Sequence, residues 1–320
     1  MTNTLAKNQV NVLQTVGIEE LVKSFLSCRK LTTIEAYKRD LEEFRDFIKV
    51  ESLDLAARHL ISLQQGPANA LVLSYKIYLT DDLKLQSATV NRRLAALRSF
   101  VKLARTLGLV AWELEIQNVP HQSYRDVRGI GNEGVRAIFK YLESRPDNKS
   151  VRDCAIFHLL FDIGLRRNEV CSIDLADLNL NEATVSILGK GKTQKQFVTL
   201  PQPTIDALKR WLEVRGLQDG PLFFRLDKAR SSDLKRLTGT GLYSIIKNLG
   251  RKVGIKRITV HCLRHDAINT ALKVAAEHNI GLDDVRKFSR HSDIKTLLIY
   301  KDEIENAQAK IASLVAGKIE

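Results

Sequence analysis

A chain of 320 residues, 44% apolar and 27% charged, holds enough material for two cores and nowhere approaches the ~18 uninterrupted apolar residues of a membrane helix. These figures point to a globular two-domain protein and exclude a helical membrane protein. The net charge of +13 is spread, with 16 basic against 11 acidic residues in 1–110 and 34 against 26 in 111–320, so both halves suit a polyanion, and nucleic acid is a more economical partner than a membrane.

The opening Met1-Thr2-Asn3-Thr4-Leu5-Ala6-Lys7 is polar and lacks the apolar core of a secretory signal, so the protein is expected to stay in the cytoplasm. Thr32-Thr33-Ile34-Glu35 is a capping box, and Tyr37, Leu41, Phe44 and Ile48 follow at helical spacing, which predicts a helix of about four turns. Gln64-Gln65-Gly66-Pro67 breaks the chain, Leu71 to Leu79 resumes it, and Asp81-Asp82 interrupts again. A second strong helix carries Val90, Leu94, Leu97, Val101 and Ala104 on one stripe, with Asn91, Arg98, Lys102 and Arg105 on its flank. That flank reads equally as a solvated face or as a nucleic-acid contact.

Residues 111–128 lose periodicity and contain Pro120, which sets the expected boundaries: a helical domain over 1–110, a linker over 111–128 and a second domain over 129–320. Helical spacing returns from Glu133 to Leu142 and from Val151 to Asp162. A Gly164-Leu165-Arg166-Arg167-Asn168-Glu169 turn follows, and then a short helix from Val170 to Leu178. Ala183 to Leu188 and Gln196 to Leu200 alternate as strands around Gly189-Lys190-Gly191-Lys192, a hairpin with lysine at its bend. From Pro203 the pattern is helical nearly to the end, closing on an amphipathic stretch over 303–316 with Ile304, Ala307, Ile311, Leu314 and Val315 in register. Cys28, Cys154, Cys171 and Cys262 form no Cys-x-x-Cys pair and read as reduced thiols, not as a disulfide framework or zinc site.

Taken singly, Arg166, Lys190, His261, Arg264, His291 and Tyr300 each have an ordinary structural reading, as a solvated cation, a turn lysine, an interior histidine or a core aromatic. Their order is more specific. Gly-Leu-Arg166-x-x-Glu169, a hairpin Lys190, His261-x-x-Arg264, and His291 followed nine residues later by Tyr300 together resemble the tyrosine recombinase (phage integrase) family, nearest its Xer-like and integrase-like bacterial members. The helix from Thr32 to Ile48 and the Ser87–Leu94 helix look like that family's helical core-binding domain.

The resemblance implies a mainly α fold with a small β-sheet, in which an all-helical, SAM-like core-binding domain is joined to a mixed α/β catalytic domain wrapped around duplex DNA. It places DNA contacts on Arg92, Arg93, Arg98, Lys102 and Arg105. It implies a homotetramer on two recombination sites, monomeric or weakly associated when free, with the tail inserted into a neighbouring protomer. Two residues depart from the family pattern: Arg290 stands where a glycine usually precedes the histidine, and Leu297 where a threonine is common.

The chemistry fits these groups. Attack on a DNA phosphate gathers charge on its non-bridging oxygens, which the planar forks of Arg166 and Arg264 can hold. An acceleration near 10¹⁷-fold, about 23 kcal/mol, is more than two arginines supply, so proton transfer must contribute. A tyrosine hydroxyl ordinarily titrates near 10, so a nucleophilic Tyr300 needs a proton acceptor, for which His261 is the candidate. Lys190 would protonate the leaving 5′-oxygen, His291 would hydrogen-bond the phosphate, and Glu169 would hold the arginine or His261 in orientation. Neither an acidic pair for magnesium nor a nucleotide-binding glycine loop accompanies them, so a metal- and cofactor-independent exchange through a 3′-phosphotyrosyl ester is expected. Two rivals use the same residues: a nicking-resealing enzyme of type IB topoisomerase kind, and a DNA-binding accessory factor without catalysis.

Overall fold

The computed structural model describes residues 18–27, 31–120, 129–189, 192–226, 234–305 and 307–318, the side chains of 18–20, 31–32 and 301–310 excepted. The chain divides into two compact units, residues 1–124 and 125–320. Most of the described backbone is helical and one three-stranded sheet accompanies it, as the expected fold class requires.

The first unit is built from α1 (Ile18–Ser27), α2 (Leu31–Ile48), α3 (Leu53–Ser62), α4 (Gln65–Ile77) with a π-helical turn over Tyr78–Asp82, and α5 (Ser87–Thr106). Helix α3 starts where Ser52 Oγ accepts the Leu55 backbone N–H at 3.1 Å, an N-cap that satisfies one orphan donor. The expected stripe of α5 (Val90, Leu94, Leu97, Val101, Ala104) is wholly buried, and Phe100 meets Phe25 edge-on at 5.4 Å. Each fully buried side chain of this size contributes about 1.5–3 kcal/mol.

Residues 111–120 lie along the same unit without regular secondary structure. Leu114 is buried in its core, Lys76 Nζ donates to the Gln117 carbonyl at 2.9 Å, and the Asn91 amide pairs with both backbone groups of Val119 at 2.9 and 2.8 Å. An aperiodic sequence here reflects backbone groups satisfied by side chains instead of by a helix.

In the second unit, α6 (Gly131–Glu143) packs on α7 (Asn148–Phe161), which carries an unbroken buried run from Cys154 to Leu160. Helix α8 (Arg167–Ser172) is shorter than the expected Val170–Leu178 helix. The chain leaves it through a 3-10 turn into β1 (Leu178–Asn179), a strand too short to show alternation. Strands β2 (Thr184–Ile187) and β3 (Gln196–Thr199) pair antiparallel with Thr184 opposite Thr199, and β1 adds antiparallel to β2. Helix α9 (Gln202–Arg215) buries Trp211, whose Nε1 donates to the Leu222 carbonyl at 2.9 Å. Then follow α10 (Gly239–Lys252), α11 (Val260–Glu277), α12 (Leu282–Ser289), α13 (Lys295–Glu305) and α14 (Ala307–Ala316).

The unit's entry is pinned to α11. The Asp266 carboxylate accepts the backbone N–H groups of Ile130 at 2.8 Å and Gly131 at 3.0 Å, and a Cβ on Gly129 would lie 1.8 Å from Asp266 Oδ1, so only glycine fits there. A small separate core of Ile268, Leu272, Ala275, Val285, Leu297 and Tyr300 joins α11, α12 and α13. Leu297, the apolar departure from the family pattern, is fully buried in it. Cys154 and Cys171 are buried free thiols. Among the described residues no helix is long and apolar enough to cross a membrane, and no three His, Cys, Asp or Glu side chains form a metal-binding group.

Candidate active site

The site forms where the turn after α7 meets α11 and the turn after α12. Gly164 takes a left-handed φ of +57° beside the Ala267 methyl and the Phe288 ring, and this reverses the chain so that Arg166 arrives at the start of α8 in extended backbone. Arg166 N donates to Glu169 Oε2 at 2.8 Å, Nη1 to Oε1 at 2.7 Å, and Nη2 to the Arg290 carbonyl at 3.2 Å. The side chain keeps 27% of its surface exposed while Glu169 keeps 1%, so the carboxylate is a buried anchor and the guanidinium faces out. Burial acts to raise the Glu169 carboxyl, but the Arg166 backbone N–H and the charges of Arg290 and Arg166 outweigh it and hold it below the usual range.

Arg264, on the first turns of α11, is 1% exposed. It donates to the carbonyls of Gly164 and Ser289, and its Nη2 lies 3.5 Å from His291 Nε2. Burial, and the neighbouring cations Arg166 and Arg290, pull it down to about 9. Such crowding of positive groups stores repulsion that an incoming phosphate would relieve.

Ser289 Oγ stands 3.1 Å from His291 Nδ1 and sets that ring's orientation. Tyr300, on α13, is 4% exposed; its hydroxyl is 2.6 Å from His265 Nδ1, and its ring centre is 6.2 Å from that of His291. His261 is exposed and meets His265 edge-on at 4.2 Å, one helical turn away.

Arg166, Arg264, His261, His291, Tyr300 and Glu169 are thus brought into one connected cluster, while Lys190 lies outside the described residues. The sequence reading gave the tyrosine's proton acceptor as His261; the structure adds His265, whose Nδ1 stands 2.6 Å from the hydroxyl. Reading the motif as His-x-x-Arg passed over His265, although the i, i+4 spacing from His261 puts the two on one face. Arg290, noted only as a departure, also lies within the cluster.

The five α5 positions read as DNA contacts are differently placed. Arg92 pairs with Asp40 at 2.5 Å, and Arg93, 15% exposed, pairs with Glu43 at 3.1 Å. Arg98 donates to the Ile116 carbonyl at 2.6 Å and to Asn118 Oδ1 at 2.7 Å, and Arg105 pairs with Glu113. Lys102 is exposed.

Arginines beside histidines and a tyrosine, on a helical scaffold, are the groups that phosphoryl transfer to a side-chain nucleophile uses. Residues 130–306 match the model of the phage integrase family. The chain is 35% identical to tyrosine recombinase slr0733 of Synechocystis sp. over 97% of both chains, and 28% identical to tyrosine recombinase XerC of Thermodesulfovibrio yellowstonii over 84% of both. Its fold is similar to that of XerH site-specific recombinase bound to palindromic difH substrate (TM-score 0.68, 20% identity, covering 97% of this chain and 89% of that one). It is also similar to a lambda integrase dimer bound to a core site (TM-score 0.60, 13% identity, 95% and 82%). The chain belongs to the phage integrase family, the tyrosine recombinases. Its activity is accordingly site-specific DNA recombination, in which strands are broken and rejoined through a phosphotyrosyl ester.

Proposed function

We propose that Tyr300 is the nucleophile and that Arg166 and Arg264 hold the non-bridging oxygens of the phosphate it attacks. The observation that carries this reading is that Tyr300 pairs with His265 through its hydroxyl and faces the His291 ring, which in turn reaches Arg264 and, through it, the Gly164 turn. His265 or His261 takes the hydroxyl proton as the ester forms. His291, oriented by Ser289, donates to the phosphate, and Lys190 protonates the leaving 5′-oxygen. The broken P–O bond is replaced by the P–O bond to tyrosine, so its energy is kept for rejoining. On a nicked duplex that loses its 5′-fragment, the native chain accumulates a covalent protein–DNA adduct, whereas Tyr300→Phe binds with equal affinity and forms none. Adduct formation by Tyr300→Phe refutes the assignment.

The assembly on DNA is a homotetramer across two sites, acting in the bacterial cytoplasm on the chromosome or on elements carried there. What supports it is the tail: Ile311, Leu314 and Val315 on α14 are 59%, 65% and 57% exposed, so they are not docked on their own core; the side chains of Ile304 and Ala307 lie outside the described residues. The same unit carries a groove of about 420 Å³ lined by Phe161, Ala271, Val274, Ile280, Val285 and Phe288, which suits an apolar helix face from a second copy. A head-to-tail contact of this kind makes a ring when its rotation closes. Deleting residues 303–320 leaves single-site binding intact and abolishes cooperative binding to paired sites and strand exchange. A truncated chain that still recombines refutes the ring.

A further inference from the structure

Arg290 occupies a position where an arginine is costly. It closes α12 with φ 55° and ψ 38°, a left-handed turn that favours glycine, and a glycine is what the family pattern usually has there. A residue kept in such a turn against its own preference is held by what its side chain does.

The Arg290 side chain folds back under the turn until only 10% of it is exposed. Its Nη1 donates to the carbonyls of Ile163 and Phe288, both at 3.0 Å, and its Nη2 donates to the Gly164 carbonyl at 2.8 Å and to Glu169 Oε2 at 3.4 Å. One guanidinium therefore joins three pieces of the site: the turn that delivers Arg166, the turn that delivers His291, and the carboxylate that anchors Arg166. Its Nε is buried without a hydrogen-bond partner among the described residues, so the group was not placed for solvation.

The charges lead further. Glu169 is the one carboxylate paired with this cluster among the described residues, and Arg166 and Arg290 share it. With glycine at position 290, Glu169 would neutralise Arg166, and the buried Arg264 would be the cluster's only uncompensated arginine. With Arg290 present, three guanidinium groups face one carboxylate, and the excess positive charge rises from one to two. Of the two cations on Glu169, Arg290 is the more enclosed, 10% exposed, while Arg166, 27% exposed, faces the solvent side. The lowering of Arg290 below the ordinary arginine value, by burial first and by Arg166 in part against the pull of Glu169, is what a cation packed among cations shows.

We propose that Arg290 is a positioning residue of the recombination site: it takes up part of the charge of Glu169 and ties the Ile163–Gly164 turn to the Phe288–His291 turn, so that Arg166, still held by Glu169, meets the scissile phosphate with its own charge less fully compensated. This rests on the assignment of Arg166 and Arg264 as the phosphate clamp.

The test uses the full chain and a nicked suicide duplex made in two forms, one with the ordinary scissile phosphate and one with a neutral methylphosphonate, in which a methyl group replaces a non-bridging oxygen. Arg290→Gly keeps the turn and removes the guanidinium. It melts near the native temperature, binds duplex DNA within about twofold, and forms adduct about 10–100-fold more slowly on the phosphate, a loss in the range of a missing transition-state donor. On the methylphosphonate, which brings less charge to the site, the loss shrinks to less than about fivefold. A merely structural role would slow both substrates alike. Arg290→Lys, which keeps the charge but not the fork, loses less than Arg290→Gly on the phosphate and carries the same comparison should the glycine variant unfold. Native adduct formation by Arg290→Gly, equal loss on the two substrates, or equal loss in the glycine and lysine variants overturns the proposal. If the native chain itself forms no adduct, the tyrosine-nucleophile reading falls instead.

Discussion

Replacing Glu169 by alanine removes the one anion that faces three guanidinium groups. In the folded chain its carboxylate, 1% exposed, accepts from the Arg166 backbone N–H at 2.8 Å, from Arg166 Nη1 at 2.7 Å and from Arg290 Nη2 at 3.4 Å. The change leaves Arg290, 10% exposed, without its counter-ion beside the more deeply buried Arg264. Breaking a buried ion pair from one side costs about 3–5 kcal/mol, because the remaining charge cannot return to water. A unit of this size loses about 2–4 °C of melting temperature per kcal/mol, so Glu169→Ala should melt about 6–20 °C below the native chain at pH 7. Glu169→Gln, which keeps an acceptor but not the charge, should fall between. The pH dependence has a definite sign. The Glu169 carboxyl is held below its ordinary value, so its contribution is complete above the ordinary carboxylate range and is lost as pH falls through the folded-state value. The gap between native and Glu169→Ala melting temperatures, followed by near-ultraviolet circular dichroism, should therefore narrow in acid. A gap under about 2 °C at pH 7, or one that does not narrow, refutes the view of Glu169 as the charged anchor of the arginines.

On a substrate whose leaving 5′-oxygen is replaced by sulfur, which departs without a proton, Lys190→Ala should regain cleavage and Arg166→Ala should not; rescue of both or of neither removes Lys190 as the general acid. Burial alone would lower the His158 imidazole, but hydrogen bonds to Asp162, at 2.8 Å, and to Cys154 outweigh it and lift it to about 9. Its contribution is then fully present below the unfolded value near 6.5 and lost as pH rises through about 9, a change of about 3 kcal/mol. The urea midpoint should fall between pH 7 and 10 in the native chain and stay flat by comparison in His158→Gln. Arg98→Ala leaves the Ile116 carbonyl and Asn118 without their donor and should cost about 1–2 kcal/mol without altering the salt dependence of DNA binding, whereas Lys102→Ala should lower the salt slope by about one and leave stability unchanged. The reverse pattern in salt titrations would exchange their roles.

What the sequence made legible was whatever repeats. The α5 stripe was readable because five apolar residues recur at the helical period, and all five are buried. Strands β2 and β3 were readable from β-branched alternation around a glycine turn, but β1, with two residues, has no period to read, and the apolar run before it mimics a helix. The site was readable as an ordered set of residue types. Its electrostatics were not, because the sharing of Glu169 between Arg166 and Arg290 joins positions 121 residues apart. The same limit applied to α5: the flank of Arg98 and Arg105 has the spacing of a basic face, and nothing in that spacing reveals that residues 111–120 return to lie against it. His265 was overlooked because a motif read by its fixed letters says nothing of the neighbour that shares the helix face.

The hydrogen bond that buries the Tyr300 hydroxyl against His265 bears on how this protein travels. A chain of charge +13 spends most of its time on DNA that is not its target, sliding along backbone phosphates any of which is chemically cleavable. With Tyr300 as the proposed nucleophile, this contact is the one that takes up the hydroxyl's proton, so a true site has no need to break it. On random sequence Tyr300 stays buried and paired with its base until a phosphate is seated beside it, and searching and cutting are separated by the seating of the phosphate.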